Sequence, residues 1–128
     1  MTEIPERLAY SEAHVWVRTE PDGSASLGLT AFGLEQLGEV VLVSAPEVGR
    51  RLASGEVCAV VESAKAASEI PAPLSGEVVE TNASLGAAPD ALNRDPYAAW
   101  IFRMRPAEPA EMARLLDAPA YRRIAGVG

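Results

Sequence analysis

Lys65 is the single lysine of a 128-residue chain whose other ten basic residues are all arginine. The distinction is chemical, because a guanidinium holds charge but is a very poor nucleophile and is not acylated as a primary amine is. Ala64 and Ala66 leave the amine sterically open, and Glu62 and Glu69 flank it. Nothing near it in sequence supplies the burial or the cationic neighbour that makes a Schiff-base nucleophile, so the position suits a lysine that is modified rather than one that catalyses. Cys58 is the only cysteine, which excludes an internal disulfide and a CxxC redox pair. Within the apolar run 57–61 it reads as a small core hydrophobe. His14 is the only histidine, and without a positioned Ser, Cys or carboxylate partner it reads as structure rather than as an acid-base group. One cysteine and one histidine leave no Cys/His ligand set for a zinc-type centre.

The elements that must hold these residues are short. Ten glycines and ten prolines punctuate the chain, and the segments between them alternate or run apolar over four to six residues, the signature of strands. Residues 14–18 and 24–30 flank Pro21-Asp22-Gly23 and read as a hairpin, with Val15 and Val17 sharing one face and Ala25, Leu27 and Leu29 another. Thr30 caps a short helix over Ala31–Leu37 that Gly38 ends. Strands are expected at 39–43, 56–62, 67–70, 76–81 and 100–105, the last burying Trp100, Phe102 and Met104 on one face. Asp95-Pro96-Tyr97 reads as a turn. Pro109 opens a helical tail in which Met112, Leu115 and Leu116 recur at helical spacing, and a second helix over 120–124 ends at Gly126. Gly38-Glu-Val-Val41 returns as Gly76-Glu-Val-Val79, and Lys65 falls between the copies, where two related halves would place their connecting hairpin.

Composition narrows the class further. The length fits a single domain over 1–128, with a strand core at about 8–105 and C-terminal helices at about 109–125. A net charge of −7 argues against nucleic acid as a partner. No apolar run approaches the roughly 18 residues of a membrane span, and the first residues carry acids where a leader would carry bases, so the expected location is cytoplasmic. The acidic charge is concentrated in residues 1–93, the strand body, and suits solubility or docking.

The segment Glu62-Ser63-x-Lys65-Ala-Ala-Ser followed by Pro73-x-Ser-Gly-Glu-Val-Val79 resembles the lipoyl-attachment region of the glycine cleavage system H protein family. Tyr10-x-x-x-His14-x-Trp16-Val17, Asp22-Gly23, Gly28-x-Thr30, Leu37-Gly38-Glu39-Val40-Val41, Pro46-Glu47-Val48-Gly49, Asn93-x-Asp95-Pro96-Tyr97 and Trp100 extend the likeness over residues 8–105 in the family's order. The resemblance implies a mainly β fold: a flattened β-sandwich of two antiparallel sheets, of the lipoyl/biotinyl hybrid barrel-sandwich type, with short C-terminal helices. It implies lipoic acid amide-linked to Lys65 as a swinging arm, in a monomeric carrier rather than an enzyme. Such a carrier serves glycine catabolism and one-carbon metabolism. It takes an aminomethyl group from glycine decarboxylase (P-protein) to the aminomethyltransferase (T-protein) and presents its dithiol to dihydrolipoamide dehydrogenase (L-protein). A lipoate-attaching enzyme is then a fourth partner.

Glu62, Ser63 and Glu69 are the expected recognition residues beside the lysine. Family members commonly place Glu between the histidine and the tryptophan, where this chain has Val15, and Gly before the last tryptophan, where it has Ala99. A relocated carboxylate, Glu12 or Glu69, or backbone near His14 is therefore expected to hold the cargo amine. The alternatives are another swinging-arm carrier or an unmodified structural sandwich. Biotin domains resemble a Met-Lys-Met pattern, against alanine on both sides here, and lipoyl domains of 2-oxoacid dehydrogenases often have Asp before the lysine, against Ala64.

Overall fold

The computed structural model describes residues 3–126. Along the chain run β1 (Ala9–Tyr10), β2 (Val15–Thr19), β3 (Ala25–Leu29), α1 (Ala31–Leu37), β4 (Val40–Ser44), β5 (Arg51–Leu52), β6 (Val57–Ser63) and β7 (Ala67–Pro71). Then come β8 (Gly76–Thr81), α2 (Ser84–Ala87), α3 (Ala91–Arg94), β9 (Phe102–Pro106), α4 (Pro109–Met112) and α5 (Ala118–Ala125). The strands form two sheets, a six-stranded one in the order β1-β2-β3-β9-β8-β5 and a three-stranded one in the order β4-β6-β7, and neither closes into a barrel. Every pairing is antiparallel. No helix among the described residues is long and apolar enough to cross a membrane.

The inner faces of the sheets enclose the main core. Val15, Val17, Leu27, Phe102, Met104 and Val78 come from the large sheet, and Val40, Ala59, Val61 and Ile70 from the small one. Cys58 joins them. Its thiol lies 3.2 Å from the Ile70 carbonyl, and burial pushes it up to about 11, so it remains a neutral core group.

A second cluster covers the opposite face of β1 and β2, where Tyr10 and Trp16 pack with Ile4, Leu8, Tyr97, Ala118 and Tyr121. The alternating pattern predicted one buried face for the β2–β3 hairpin, yet every residue of β3 is buried. The C-terminal segment supplies the second cover: Asp117 caps α5 by accepting from the Ala120 N–H at 2.9 Å, and Tyr121 stacks on Tyr10 with ring centroids 4.7 Å apart.

This second cover accounts for several departures from the expected elements. Trp100 does not share the face of Phe102 and Met104. It packs against the second cluster, only partly buried, with the Arg103 guanidinium 4.1 Å from its ring centroid. The helix after Pro109 lasts one turn, because Leu116 leaves it to pair its backbone with Tyr10. Conversely α5 runs longer than expected, starting at Ala118. The short elements β1, β5, α2 and α3 carry too few residues for any periodicity to announce them. The two Gly-Glu-Val-Val copies lead into strands of different sheets, β4 in the small one and β8 in the large one.

Gly28 lies opposite Trp16 in the β2–β3 register, and a Cβ there would stand 2.6 Å from the indole. Gly28→Ala is therefore expected to lower unfolding free energy by about 1–3 kcal/mol through overpacking. Gly86→Ala, where a Cβ would meet nothing within 4 Å, should cost nothing. Denaturant unfolding of the two variants checks the contrast.

Candidate functional site

Lys65 stands at the tip of the β6–β7 hairpin. Ala64 and Lys65 form its two-residue loop, closed by the Ser63 N–H donating to the Ala66 carbonyl at 2.8 Å. Two-residue loops usually draw on glycine or asparagine at positive φ, but among the described non-glycine residues only His14 has one. The Ser63 hydroxyl takes over part of that task, accepting from the Lys65 N–H at 3.4 Å and the Ala66 N–H at 3.2 Å. Ser63 is buried while Ala64, Lys65, Ala66 and Ala67 are exposed, so the residue that shapes the turn is hidden and the amine is presented. The lysine stem lies over Gly38: a Cβ on that glycine, which has φ +94°, would come within 3.3 Å of Lys65 Cε. Gly38 thus ends α1 and clears room for the lysine.

Beside this tip lies a cavity of about 180 Å³ between the β1–β2 turn (Ala13, His14), α1 (Gly33, Gln36, Leu37) and β7 (Ser68, Ile70), with Leu29 also lining it. Its walls are mostly apolar, with an imidazole, an amide and a hydroxyl as the polar groups. Those properties fit an aliphatic chain that ends in a disulfide ring and contains one amide. Leu37 of the lining directly precedes Gly38, so the cavity lies within reach of a chain extended from the lysine amine.

His14 is fixed from behind. The Gly33 N–H donates to Thr30 Oγ1 at 3.1 Å, Thr30 Oγ1 lies 2.6 Å from the Tyr121 hydroxyl, and that hydroxyl lies 2.7 Å from His14 Nδ1. Thr30 is fully buried, and Tyr121 is the one partner among the described residues that can accept its proton. The protons therefore run from Thr30 to Tyr121 and from Tyr121 to His14 Nδ1, which leaves the histidine proton on Nε2. Burial pushes the Tyr121 hydroxyl up to about 12, keeping it a donor, and burial also lowers the His14 imidazole below its ordinary value.

The other expected residues are dispersed. Ser68 and Ile70 face the cavity, whereas the alternation of β7 turns exposed Glu69 to the outer face of the small sheet. Glu62 shares that face, paired with Leu42 on one side and Ala67 on the other. Glu12 is exposed and lines a different cleft, with Glu111 and Arg114. Val15 is 2% exposed and packs in the main core opposite Leu29, and it is not part of the cavity lining. Gln36 and Ser68 were not singled out by the sequence, and Tyr121 lies 107 residues from His14 with no local pattern to link them.

Two facing antiparallel sheets, with one lysine lifted clear on a hairpin and a small, mostly apolar cavity beside it, define a β-sandwich module that presents a single side chain. The chain belongs to the glycine cleavage H-protein family, whose profile, described as "Glycine cleavage H-protein", matches residues 8–126. It is 48% identical over 122 residues to the glycine cleavage system H protein of Aromatoleum aromaticum, covering 95% of each chain. It is 50% identical over 121 residues to that of Nitrosomonas europaea, covering 94% of each. The crystal structure of a glycine cleavage system H protein from Mycobacterium marinum superposes with a TM-score of 0.88 at 35% identity, over 97% of this chain and 100% of that one.

The depressed His14 pKa has a definite sign. As pH falls past its ordinary 6.5 the unfolded chain takes up the proton before the folded one does, so this residue's contribution to stability is present above that value and is lost as pH falls from there through the lower folded-state value. The thermal midpoint is expected to fall between about pH 7.5 and about pH 5.5, and to fall less in His14→Asn. Asparagine tolerates the φ of 69° at this position.

Proposed function

We propose that the chain is the lipoyl-bearing shuttle of the glycine cleavage system, a carrier and not a catalyst. It takes an aminomethyl group from glycine decarboxylase to the aminomethyltransferase and presents the dithiol to dihydrolipoamide dehydrogenase. The observation that carries the reading is the placement of Lys65: the chain's only lysine occupies the exposed tip of a two-residue turn, next to a cavity suited to an arm. The naming of the relatives as glycine cleavage system H proteins supports the same reading.

Attachment replaces an N–H bond of the Lys65 amine with an N–C bond to the carbonyl carbon of an activated lipoate, a mixed carboxylic–phosphoric anhydride. The C–O bond to phosphate breaks, phosphate leaves with the electron pair, and the displaced proton goes to solvent. When bound, the lipoyl group supplies a disulfide and dithiol couple that accepts and releases the cargo.

The protein's own residues then hold and shelter the arm. Gly38 accommodates the lysine stem, and Leu29, Leu37 and Ile70 give apolar contact and exclude water. His14 offers its Nε2–H, and Ser68 and Gln36 offer hydrogen bonds to the polar parts of the arm. Glu62 and Glu69 lie on the outer face and act in recognition by the enzymes that dock there. Surface carboxylates of this kind steer encounter and lose their effect as salt rises.

Intact mass and peptide mapping of protein purified from its source should place a lipoyl increment on Lys65 alone. Lys65→Arg is expected to abolish it while changing stability by no more than about 0.5 kcal/mol, since the side chain is exposed and keeps its charge. A biotin increment, or an unmodified lysine under lipoate-replete conditions, would refute the assignment.

A further inference from the structure

Strict alternation along β4 would turn one of Val41 and Leu42 inward. Instead the β4–β6 register shifts between Val40 and Leu42, and both side chains are exposed, at 53% and 51%. A bulge of this kind re-aims side chains. Leu42 stands opposite Glu62 on the outer face of the small sheet, and Val41 lies three residues after the glycine that touches the Lys65 stem. Val57, 40% exposed, lies on β6 of the same sheet. Of the five large apolar residues most exposed among those described, three thus belong to these strands, two of them beside the modification site.

We infer that Val41 and Leu42 are the apolar anchor of the surface on which the enzyme that acylates Lys65 docks. The inference rests on the carrier reading above. Enzymes that use the finished arm meet its far end, but the attaching enzyme must bring its acyl carbon to the amine itself, one side-chain length from the turn. A specific interface covers about 800 Å² per partner, and one centred on Lys65 takes in the β4 bulge beside it.

Charge sets the chemistry of the occupant. Lys65 is the only basic residue in segments 38–44 and 57–71, which also hold Glu39, Glu62 and Glu69. None of these three acids has an ion pair among the described residues. The partner surface is therefore apolar at its centre and basic at its rim. Acylation removes the lysine's charge from this face. A second copy of this chain is a poorer occupant: it would bring the same acids against these, and the first N–H of β4, that of Val40, is already bonded to Asn93 Oδ1 at 2.8 Å, which obstructs strand-to-strand pairing.

The test uses the full-length unlipoylated chain with purified lipoate–protein ligase, lipoate and ATP, and follows the lipoyl increment by mass. Val41→Thr/Leu42→Thr should lower kcat/KM for acylation at least tenfold, chiefly through KM, with an unchanged thermal midpoint. Leu42→Gln alone should give part of that loss. Ile124→Thr, an equally exposed apolar residue on α5, should leave the rate unaltered. Acylation of the double variant at the unaltered rate overturns the inference, and does so equally if sedimentation shows that the substitutions abolish self-association instead. Absence of any increment on the unaltered chain would defeat the carrier reading itself, and this inference with it.

Discussion

Burial of both faces of the β2–β3 hairpin is the constraint on which the rest of the structure depends. One face, through Val15, Val17, Leu27 and Leu29, needs the small sheet as its cover. The other, through Trp16, needs Tyr121 and its helix. Trp16 is wholly buried at the cost of a side chain on the facing residue, and its indole N–H finds the Pro96 carbonyl at 3.0 Å. A hairpin covered on both sides is a rigid platform. His14 precedes β2 and Thr30 follows β3, so the Thr30 N–H can donate to the His14 carbonyl at 2.9 Å and the same platform sets both residues.

That rigidity matters because the functional side chain is not itself held. Lys65 is exposed and its turn is only two residues long, so its position is defined by its neighbours: β6, buried on alternate residues from Ala59 to Ser63 and paired on both edges, and the hidden Ser63 hydroxyl. A polar residue buried at a turn is hydrogen-bonded or destabilising, and Ser63 uses its capacity to shape the loop. The cavity beside the tip is assembled from three separate segments and supported by Tyr121 from a fourth. The C-terminal helix thus contributes no residue to the cavity but holds His14 through a hydrogen bond.

The two faces of the small sheet have different chemistry. Inward, Ala59, Val61 and Ile70 complete the core. Outward, Leu42, Glu62 and Glu69 mix apolar surface with negative charge around a single amine. Period-two alternation separates the faces, and the bulge at β4 departs from it to expose more apolar surface next to Lys65.

The sequence by itself determined the Lys65 hairpin, the β2–β3 hairpin around Pro21-Asp22-Gly23, the helix between Thr30 and Gly38, and the burial of Cys58. These are set by residues adjacent in the chain, through fixed φ, capping hydroxyls and alternation. Motif order over residues 8–105 likewise carried the family, because the segments that recur are local. Tertiary structure alone decided that Trp100 leaves the strand face, that Leu116 pairs with Tyr10, that the Ser68 face of β7 and not the Glu69 face meets the cavity, and that Glu12 opens on another cleft. It also decided the tautomer of His14, through a tyrosine 107 residues away. The physical reason is common to all of these: each depends on which surface a second segment covers, and a contact between distant segments leaves no periodicity, cap or turn signal in either one.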